Sequence, residues 1–358
     1  MYSLFYFSIA LLIPFSLLPN VKTNINFLGY QWNIPIIIAI VITVLVRAYA
    51  YNTGADYIVY YENYLYNGNT PWGENREIGF KCLNSILHIF SDSPQLFFGF
   101  AAFVYMYAIL MVSQLFGKAD KWIVFFWSVI LFVLSYNLYR QYFSLSFILL
   151  GYYWFMKKNY IVTCVFCVLA VLFHTSAVVG IALIAGIYML RNSKVHRNYL
   201  LAAMMLTTIL STTILSSLLN QLSFISNFYL QATEKQYTTE GMLETMYETS
   251  ILTYPLMVAY MILIWYGDKL TNEKPNYRFL FYLFSFALII NPLTNQEILM
   301  RIRLYLDAFI PIFLGILAYR YRIVSRYPVL WIALLLIIAR FIYVLNNNGV
   351  AFPLIFKS

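Results

Sequence analysis

The chain has 358 residues, of which 62% are hydrophobic and only 10% are charged; its mean hydropathy is +0.72 and its formal net charge is +9. A soluble globular domain carries about 25% charged residues, so the composition excludes that class. Repeated apolar runs of about 20 residues predict a polytopic helical membrane protein, and they lack the alternating polarity of a transmembrane barrel. The positive charge collects in short loops between the runs, which is typical of membrane proteins and does not indicate nucleic-acid binding.

Taken in chain order, the apolar runs predict an all-α protein with about twelve transmembrane helices. The predicted spans are residues 2–19, 34–50, 95–116, 122–139, 142–156, 160–173, 175–190, 199–219, 250–266, 278–293, 304–319 and 328–345. The first span lacks the basic start and small-residue cleavage site of a signal peptide, so we expect it to be retained. No internal repeat is visible. We therefore expect one integral membrane domain over residues 1–358.

The segment from Tyr139 to Ala177 is predicted to form a helical hairpin that turns at Lys157-Lys158. The next apolar run, residues 160–190, would measure about 46 Å as one helix, well beyond a hydrocarbon core of about 30 Å. Basic loops flank that run on both sides, so we predict two spans with His174 near their junction. Arg140, at the start of the hairpin, and His174, at its end, then share one side of the membrane.

The distribution of charge orients the predicted spans. Six loop clusters between Lys22 and Arg326 hold 14 of the 23 basic residues and three of the 14 acidic residues, so these loops are assigned to the cytoplasm. Both termini and two large loops, residues 51–94 and 220–249, then face outward. The first outer loop contains six tyrosines between Tyr51 and Tyr66. It also contains a segment, Glu77–Phe90, whose apolar stripe predicts an interfacial helix.

Ionisable residues at membrane depth cost about 2.5–3.5 kcal/mol each, so those on the outer side need a reason. One account is internal pairing, because Glu297 and Arg301, like Arg303 and Asp307, are four residues apart and would pair on a helix. The other account is an anionic ligand such as a pyrophosphate, gripped bidentately by guanidinium groups. The candidate arginines for it are Arg140, Arg301 and Arg303.

The backbone around the last two arginines decides between these accounts. Arg301 and Arg303 are two residues apart and leave a regular helix in nearly opposite directions. They converge only if the segment that begins at Asn291-Pro292 is irregular, which this dipeptide and the polar run after it permit.

Several other residues have both a structural and a functional interpretation. A lone histidine in an apolar run is usually structural, but the place of His174 at a hairpin apex, before Thr175-Ser176-Ala177, favours a functional role. No metal ligands accompany it at a suitable spacing, so we predict neither a metal site nor a cofactor. Cys164 and Cys167 are interpreted as packed helical neighbours. The loop tyrosines fit either an interfacial aromatic belt or stacking against sugars.

Four short motifs in this order resemble the EpsG-like branch of the O-antigen and exopolysaccharide polymerases, also called Wzy-type. They are Gly54-Ala55-Asp56-Tyr57 with Tyr60; Glu77-Ile78-Gly79-Phe80; Arg140-Gln141 followed by Phe173-His174-Thr175-Ser176-Ala177; and Arg301 and Arg303 with Tyr305. The resemblance covers roughly residues 50 to 310.

The resemblance implies a GT-C-like, metal-independent membrane glycosyltransferase in the bacterial inner membrane, with its active site facing the periplasm. The implied donor is a glycan on undecaprenyl pyrophosphate, and the acceptor is a second lipid-linked repeat unit, as in lipopolysaccharide O-antigen or exopolysaccharide biosynthesis. Implied partners are these lipid-linked oligosaccharides, the bilayer and a chain-length regulator. No nucleic acid and no cofactor are implied.

The same resemblance assigns roles to residues. The candidate catalytic residues are His174, Asp56 and Glu77, with His174 favoured as general base. The alternative for Asp56 and Glu77 is that they only position sugars or the first outer loop. Arg140, Arg301 and Arg303 would bind the pyrophosphate, and the glycan contacts would come from Tyr57, Tyr60, Gln141 and Tyr305. Three alternatives remain at this point: an O-antigen ligase with the same kind of site, a transporter or flippase of lipid-linked sugars, and a structural partner in an assembly complex. A transporter would have charged residues along a path to both faces and, usually, paired repeats.

Overall fold

A computed structural model describes residues 22–27, 30–51, 56–66, 77–132, 135, 138–213, 253–293, 297–321, 328, 332–337, 339 and 355–356. The first predicted span, the second outer loop and most of the last predicted span lie outside these residues, as does the Gly54-Ala55 part of the first motif.

The described chain is predominantly helical. Its α-helices are α1 (Ile34–Tyr49), α2 (Tyr57–Leu65), α3 (Ile78–His88), α4 (Pro94–Ser113), α5 (Asp120–Trp127), α6 (Tyr139–Met156), α7 (Tyr160–Phe173), α8 (Ala177–Met189), α9 (Arg197–Thr213), α10 (Thr253–Gly267), α11 (Pro275–Ile290), α12 (Glu297–Asp307) and α13 (Ile310–Tyr321). Shorter 3₁₀ turns follow α4, α8, α10 and α11, and a π-helical stretch, Ser128–Phe132, follows α5.

Two small antiparallel strand pairs accompany the helices and were not predicted. Strand β1 (Lys22–Phe27) pairs with β2 (Tyr30–Asn33), and β3 (Ala50–Tyr51) pairs with β4 (Ile355–Phe356). The second pair joins segments about 300 residues apart, a contact that local sequence patterns do not specify. The predicted helical class is confirmed apart from these pairs.

The chain divides into two compact units. Unit 1 comprises Met1–Val178, Leu314–Arg322 and Ile338–Ser358, and unit 2 comprises Val179–Phe313 and Ile323–Ile337. In unit 1, α4 is the central helix and packs against α1 on one side and α6 on the other, while α6 and α7 pack along their lengths. In unit 2, α11 packs against α9, α10 and α12.

Ten of the twelve predicted spans overlap helices given above, residues 332–337 of the last span are also helical, and the first span lies outside the described residues. Among the residues that the structure describes, two helical stretches, Pro94–Trp127 and Met300–Tyr321, are long and apolar enough to cross a bilayer, whereas other apolar helices, including Tyr160–Phe173 and Pro275–Ile290, have 10–17 residues. Each of these stretches consists of two consecutive helices. In the second, α12 ends at Asp307 and α13 starts at Ile310. In the first, the break is at Gly117, which has φ 56° and ψ −117°, a conformation that favours glycine. It turns the chain beside Lys118, where the sequence predicts a loop. The number of membrane crossings stays a prediction.

The helical hairpin predicted around Lys157-Lys158 is confirmed as α6 and α7, and the second junction lies at His174. Asn159 caps α7 by accepting a hydrogen bond from the Val162 amide at 3.2 Å. At the other end of α7, His174 adopts an extended conformation (φ −161°, ψ 119°), and α8 starts at Ala177. The 160–190 run is therefore interrupted where its length required a break.

The first outer loop contains α2 and α3, whose C-terminal ends are in contact with each other. The ring of Tyr64 stacks on His88 with 4.3 Å between centroids, and its hydroxyl donates to the Ser91 carbonyl at 2.7 Å. In α3, Phe80 and Leu87 are buried, while Ile78 and Ile86 of the predicted apolar stripe are 63% and 53% exposed. This exposed apolar side fits the predicted contact with a membrane surface, which itself stays a prediction.

Candidate functional site

The junction between α7 and α8 places the His174 side chain in a buried position of unit 1. The backbone amide of His174 donates to the Ala170 carbonyl at 3.0 Å and completes the last turn of α7. Its own carbonyl accepts from the Ala177 amide at 3.0 Å, which begins the next helix. The backbone of His174 is thus fixed by hydrogen bonds on both sides, and its side chain is 7% exposed.

Glu77 connects the first outer loop to this junction. It occupies the N-cap position of α3, where its carbonyl accepts hydrogen bonds from the amides of Phe80 and Lys81. Its carboxylate Oε1 lies 2.6 Å from Nδ1 of His174, and Oε2 accepts a hydrogen bond from Nη1 of Arg140. We call Glu77, Arg140 and His174 the Glu77 cluster. The predicted proximity of Arg140 and His174 is present, with Glu77 between them.

Arg140 enters the Glu77 cluster from the first turn of α6. Its Nε donates to the hydroxyl of Tyr60 on α2 at 3.4 Å, a long hydrogen bond. The Arg140 side chain is 27% exposed, compared with 11% for Glu77. Arg140 is therefore the most accessible side chain of the Glu77 cluster, while Glu77 is nearly enclosed.

The charges in the Glu77 cluster determine its protonation. Burial raises the pKa of the Glu77 carboxyl, but the hydrogen bond from His174 and the charges of Arg140 and His174 lower this pKa below its ordinary value of 4.5 in total. Glu77 is therefore ionised at neutral pH. Because a carboxylate only accepts hydrogen bonds, Nδ1 of His174 carries the proton between them. In the neutral ring, Nε2 is then the basic atom.

Two of the three tyrosines predicted to contact glycan, Tyr57 and Tyr60, are buried in unit 1. Tyr57 and Tyr60 are 3% and 5% exposed. The Tyr57 ring stacks on Phe98 with centroids 4.9 Å apart, and the Tyr60 ring lies 4.8 Å from that of Tyr139. This geometry favours packing over sugar stacking for both rings, because aromatic neighbours cover them. Burial raises the pKa of Tyr60 more than the charge of Arg140 lowers it, so the phenol stays neutral.

The remaining predicted residues of unit 1 lie beside the Glu77 cluster. Asp56 caps α2, its carbonyl accepts from the Tyr60 amide at 3.2 Å, and its charge acts on the Tyr60 hydroxyl. Gln141 follows Arg140 in α6 and is 2% exposed.

Arg47 is a residue to which the sequence assigned no role. It is 1% exposed, its Nη2 donates to the Ser135 carbonyl at 2.7 Å, and its guanidinium lies 4.6 Å from the centroid of the Tyr139 ring. It therefore connects α1 to Ser135 and to Tyr139, the residue before Arg140. An arginine near the end of an apolar span is a signal that such a buried role can be expected, but its partner cannot be read from the sequence.

The C-terminal arginines belong to unit 2. Nε of Arg303 donates to Oδ1 of Asp307 at 3.0 Å, and Nη1 donates to Oδ1 of Asn291, which confirms the predicted pairing of Arg303 with Asp307. The side chain of Glu297 lies outside the described residues. Helix α12 contains both arginines, and the 3₁₀ turn Asn291–Leu293 precedes it. The two side chains therefore leave a regular helix on nearly opposite sides. Whether they share an anion with Arg140 stays a prediction.

Tyr305, the fourth predicted glycan contact, is buried in unit 2. It has no exposed surface, and a Cβ added to Gly180 of α8 would lie 2.5 Å from its Cγ. The glycine lets the ring lie directly against the α8 backbone. This position too favours packing.

Comparison with known proteins gives one result that bears on this arrangement. No curated protein and no solved structure matches the chain. A family model does match, over residues 33–355, a range that includes every member of the Glu77 cluster as well as Arg301, Arg303 and Tyr305. With its helical architecture, its apolar spans and this match over most of its length, the chain belongs to the EpsG family.

Proposed function

We propose that this protein is a membrane polysaccharide polymerase that joins lipid-linked oligosaccharide repeat units, with the Glu77 cluster at its active site. The observation that carries the proposal is the shared carboxylate of Glu77, which holds a histidine and an arginine together at the end of a helical hairpin. One residue of this pair can move a proton and the other can bind an anion. Glycosyl transfer from a pyrophosphate donor needs both.

His174 acts as the general base in this proposal. Glu77 fixes the tautomer with the proton on Nδ1, so Nε2 can accept the proton of the acceptor hydroxyl. The acceptor oxygen then attacks the anomeric carbon of the donor glycan. The bond between that carbon and the pyrophosphate oxygen breaks, and its electron pair leaves with undecaprenyl pyrophosphate. Glu77 is a positioning residue in this scheme. It is not the general base, although it was one of the three candidates for that role.

Arg140 binds the leaving pyrophosphate in this proposal. Its side chain is the most exposed of the Glu77 cluster, and its planar guanidinium suits phosphate oxygens. A fixed positive charge at this point stabilises the negative charge that grows on the pyrophosphate as the glycosidic bond breaks. Arg301 and Arg303 are proposed as further pyrophosphate ligands. Arg303, like Arg140, is already paired with a carboxylate, in its case that of Asp307.

The remaining assignments follow from the family and the charge distribution. We propose a GT-C-like enzyme in the bacterial inner membrane, with the Glu77 cluster towards the periplasm, since the basic loops indicate that the opposite side is cytoplasmic. Asp56 is proposed to position the acceptor or the first outer loop. Gln141, Tyr57 and Tyr60 then support the Glu77 cluster by packing or contact the glycan at their edges, and Tyr305 of unit 2 is proposed only as a glycan contact.

The test is polymerisation by the purified protein with a defined lipid-linked repeat, from about pH 5.5 to about pH 8, where histidine titrates. His174→Gln keeps the bulk and hydrogen-bonding capacity of the side chain but cannot accept a proton in this range. Loss of a general base costs about 10²–10⁴-fold, so we expect at least about hundredfold slower polymerisation. His196→Gln, in an exposed loop, is the matched control. A His174→Gln protein within tenfold of the parent, with the same pH profile, would contradict this role.

A cellular experiment separates the alternatives. After deletion of the gene, surface glycan is examined by gel electrophoresis. A single capped repeat indicates a polymerase, loss of all capped forms indicates a ligase, and loss of outward-facing repeats indicates a flippase.

A further inference from the structure

Gly79, in the first turn of α3, lies in unusually close contact with the end of α7. A Cβ added at Gly79 would lie 2.6 Å from Cδ2 of Phe173 and 2.9 Å from both the carbonyl carbon and the carbonyl oxygen of Leu172. Real Cβ atoms essentially never approach other atoms within 3.0 Å. Any side chain at this position would therefore force a movement.

The end of α7 offers little room for that movement. The carbonyl of Leu172 belongs to the helix backbone and cannot rotate away as a side chain can. The ring of Phe173 is enclosed by Phe143 and Phe147 of α6, with centroids 5.2 Å and 5.1 Å away. The residue after it, His174, is held by the backbone hydrogen bond to Ala170. A methyl group at Gly79 would consequently displace α3 rather than α7.

Displacement of α3 acts directly on Glu77, which lies two residues before Gly79 and caps the same helix. Raising the Leu172 contacts from 2.9 Å to an ordinary separation requires a shift of about 0.5 Å, and the Phe173 contact requires more. The hydrogen bond between Glu77 and His174, 2.6 Å long, would then approach or exceed the usual limit of about 3.2 Å. Misplacement by about 1 Å can cost about 10²-fold in rate.

We propose that Gly79 is a positioning residue whose missing side chain sets the distance at which Glu77 of α3 meets His174 at the end of α7. The inference rests on the proposed function, because it names what holds the proposed base in place. A general helix-packing role would not need this contact to sit beside the Glu77 cluster. Helix propensity points the other way, since alanine is a better helix former than glycine.

The first test is kinetic. Gly79→Ala is expected to polymerise about 10–100-fold more slowly, with the loss in kcat. Gly151→Ala is the matched control, because it also lies within a helix of unit 1 but its added Cβ would meet Phe166 at an ordinary 3.5 Å. If Gly79 acts through the carboxylate, adding Gly79→Ala to Glu77→Gln should cause less than about threefold further loss. Full additivity of the two effects would overturn the proposal.

The second test does not depend on activity. The chain has three histidines, so carbon-13 histidine labelling gives three imidazole signals in NMR, and the His174 signal is the one that is missing from the spectrum of His174→Gln. The Glu77 carboxylate stabilises the imidazolium of His174. The positive charge of Arg140, which is hydrogen-bonded to the same carboxylate, opposes this stabilisation. The Tyr60 hydroxyl and Asp56 are the next groups in the network. Gly79→Ala should therefore make the ring take up its proton at lower pH, as Glu77→Gln should.

The outcomes of the two tests are distinguishable. A Gly79→Ala ring that titrates like the parent refutes the positioning role, whatever the activity. A parent protein that does not polymerise refutes the proposed function, while the NMR comparison still decides the role of Gly79. Phe173→Leu combined with Gly79→Ala relieves the ring contact and should restore part of the rate. If neither this double variant nor Gly79→Ala accumulates in the membrane, Gly79 serves folding and the proposal is overturned.

Discussion

Replacement of Glu77 by glutamine tests the centre of the arrangement with the smallest change in shape. The amide keeps the volume of the carboxylate, but it has only one acceptor oxygen and adds an NH₂ donor. The cationic Arg140 requires the oxygen, so the NH₂ group is left facing Nδ1 of His174. The ring must then present its lone pair at Nδ1 and carry its proton on Nε2. In that tautomer, Nε2 cannot accept a proton from the acceptor hydroxyl.

The expected loss of activity follows from this change of tautomer. General-base catalysis contributes about 10²–10⁴-fold, so Glu77→Gln should polymerise at least about a hundredfold more slowly than the parent. The stability cost is smaller. Each hydrogen bond to a charged group contributes about 1.5–3 kcal/mol, and the amide keeps part of both, so we expect a loss of about 2–3 kcal/mol. The partial exposure of Arg140 favours the lower end.

The dependence of stability on pH gives an independent check. The pKa of Glu77 is lowered in the folded protein, so its stabilising contribution is present above the ordinary value of 4.5 and is lost as the pH falls through the lower folded value. Thermal unfolding in detergent should show the parent losing stability below about pH 4.5 more steeply than Glu77→Gln. The control is Asp92→Asn, which removes the same charge from a side chain that is 96% exposed. A Glu77→Gln protein within tenfold of parental activity and with the same acid dependence would refute this reasoning.

Two further predictions concern the arginines and the topology. Arg140→Lys and at least one of Arg301→Lys and Arg303→Lys should abolish long glycan while the protein stays at its normal level in the membrane, because lysine lacks the bidentate fork. Normal glycan length on gels for all three variants would leave only a salt-bridge role for these arginines. Cysteines placed at Asn159 and Ser193, in a background without the native cysteines, should both resist labelling from outside the cell, since both loops are assigned to the cytoplasm. Labelling at only one of them would replace the pair of spans between them with a single crossing.

The sequence by itself determined the parts of this protein that depend on neighbouring residues. The length of the 160–190 run required a break, and the chain breaks at His174. The four-residue spacing of Arg303 and Asp307 predicted their ion pair, because residues four apart meet on one side of a helix. The match between the predicted spans and the helices has the same origin, since the length of an apolar run and the position of a turn are local properties.

Only the tertiary structure decided which distant residues meet. Glu77 and His174 are 97 positions apart, and nothing in the chemistry of either selects the other. Their contact depends on how closely α3 approaches the end of α7, and that distance depends on a glycine with no side chain. The loop tyrosines show the same limit. Their composition fitted a membrane belt or a sugar platform equally well, and burial against Phe98 and Tyr139 depends on the packing of α2, α4 and α6. Contacts of this kind come from the close packing of whole elements, which no local pattern specifies.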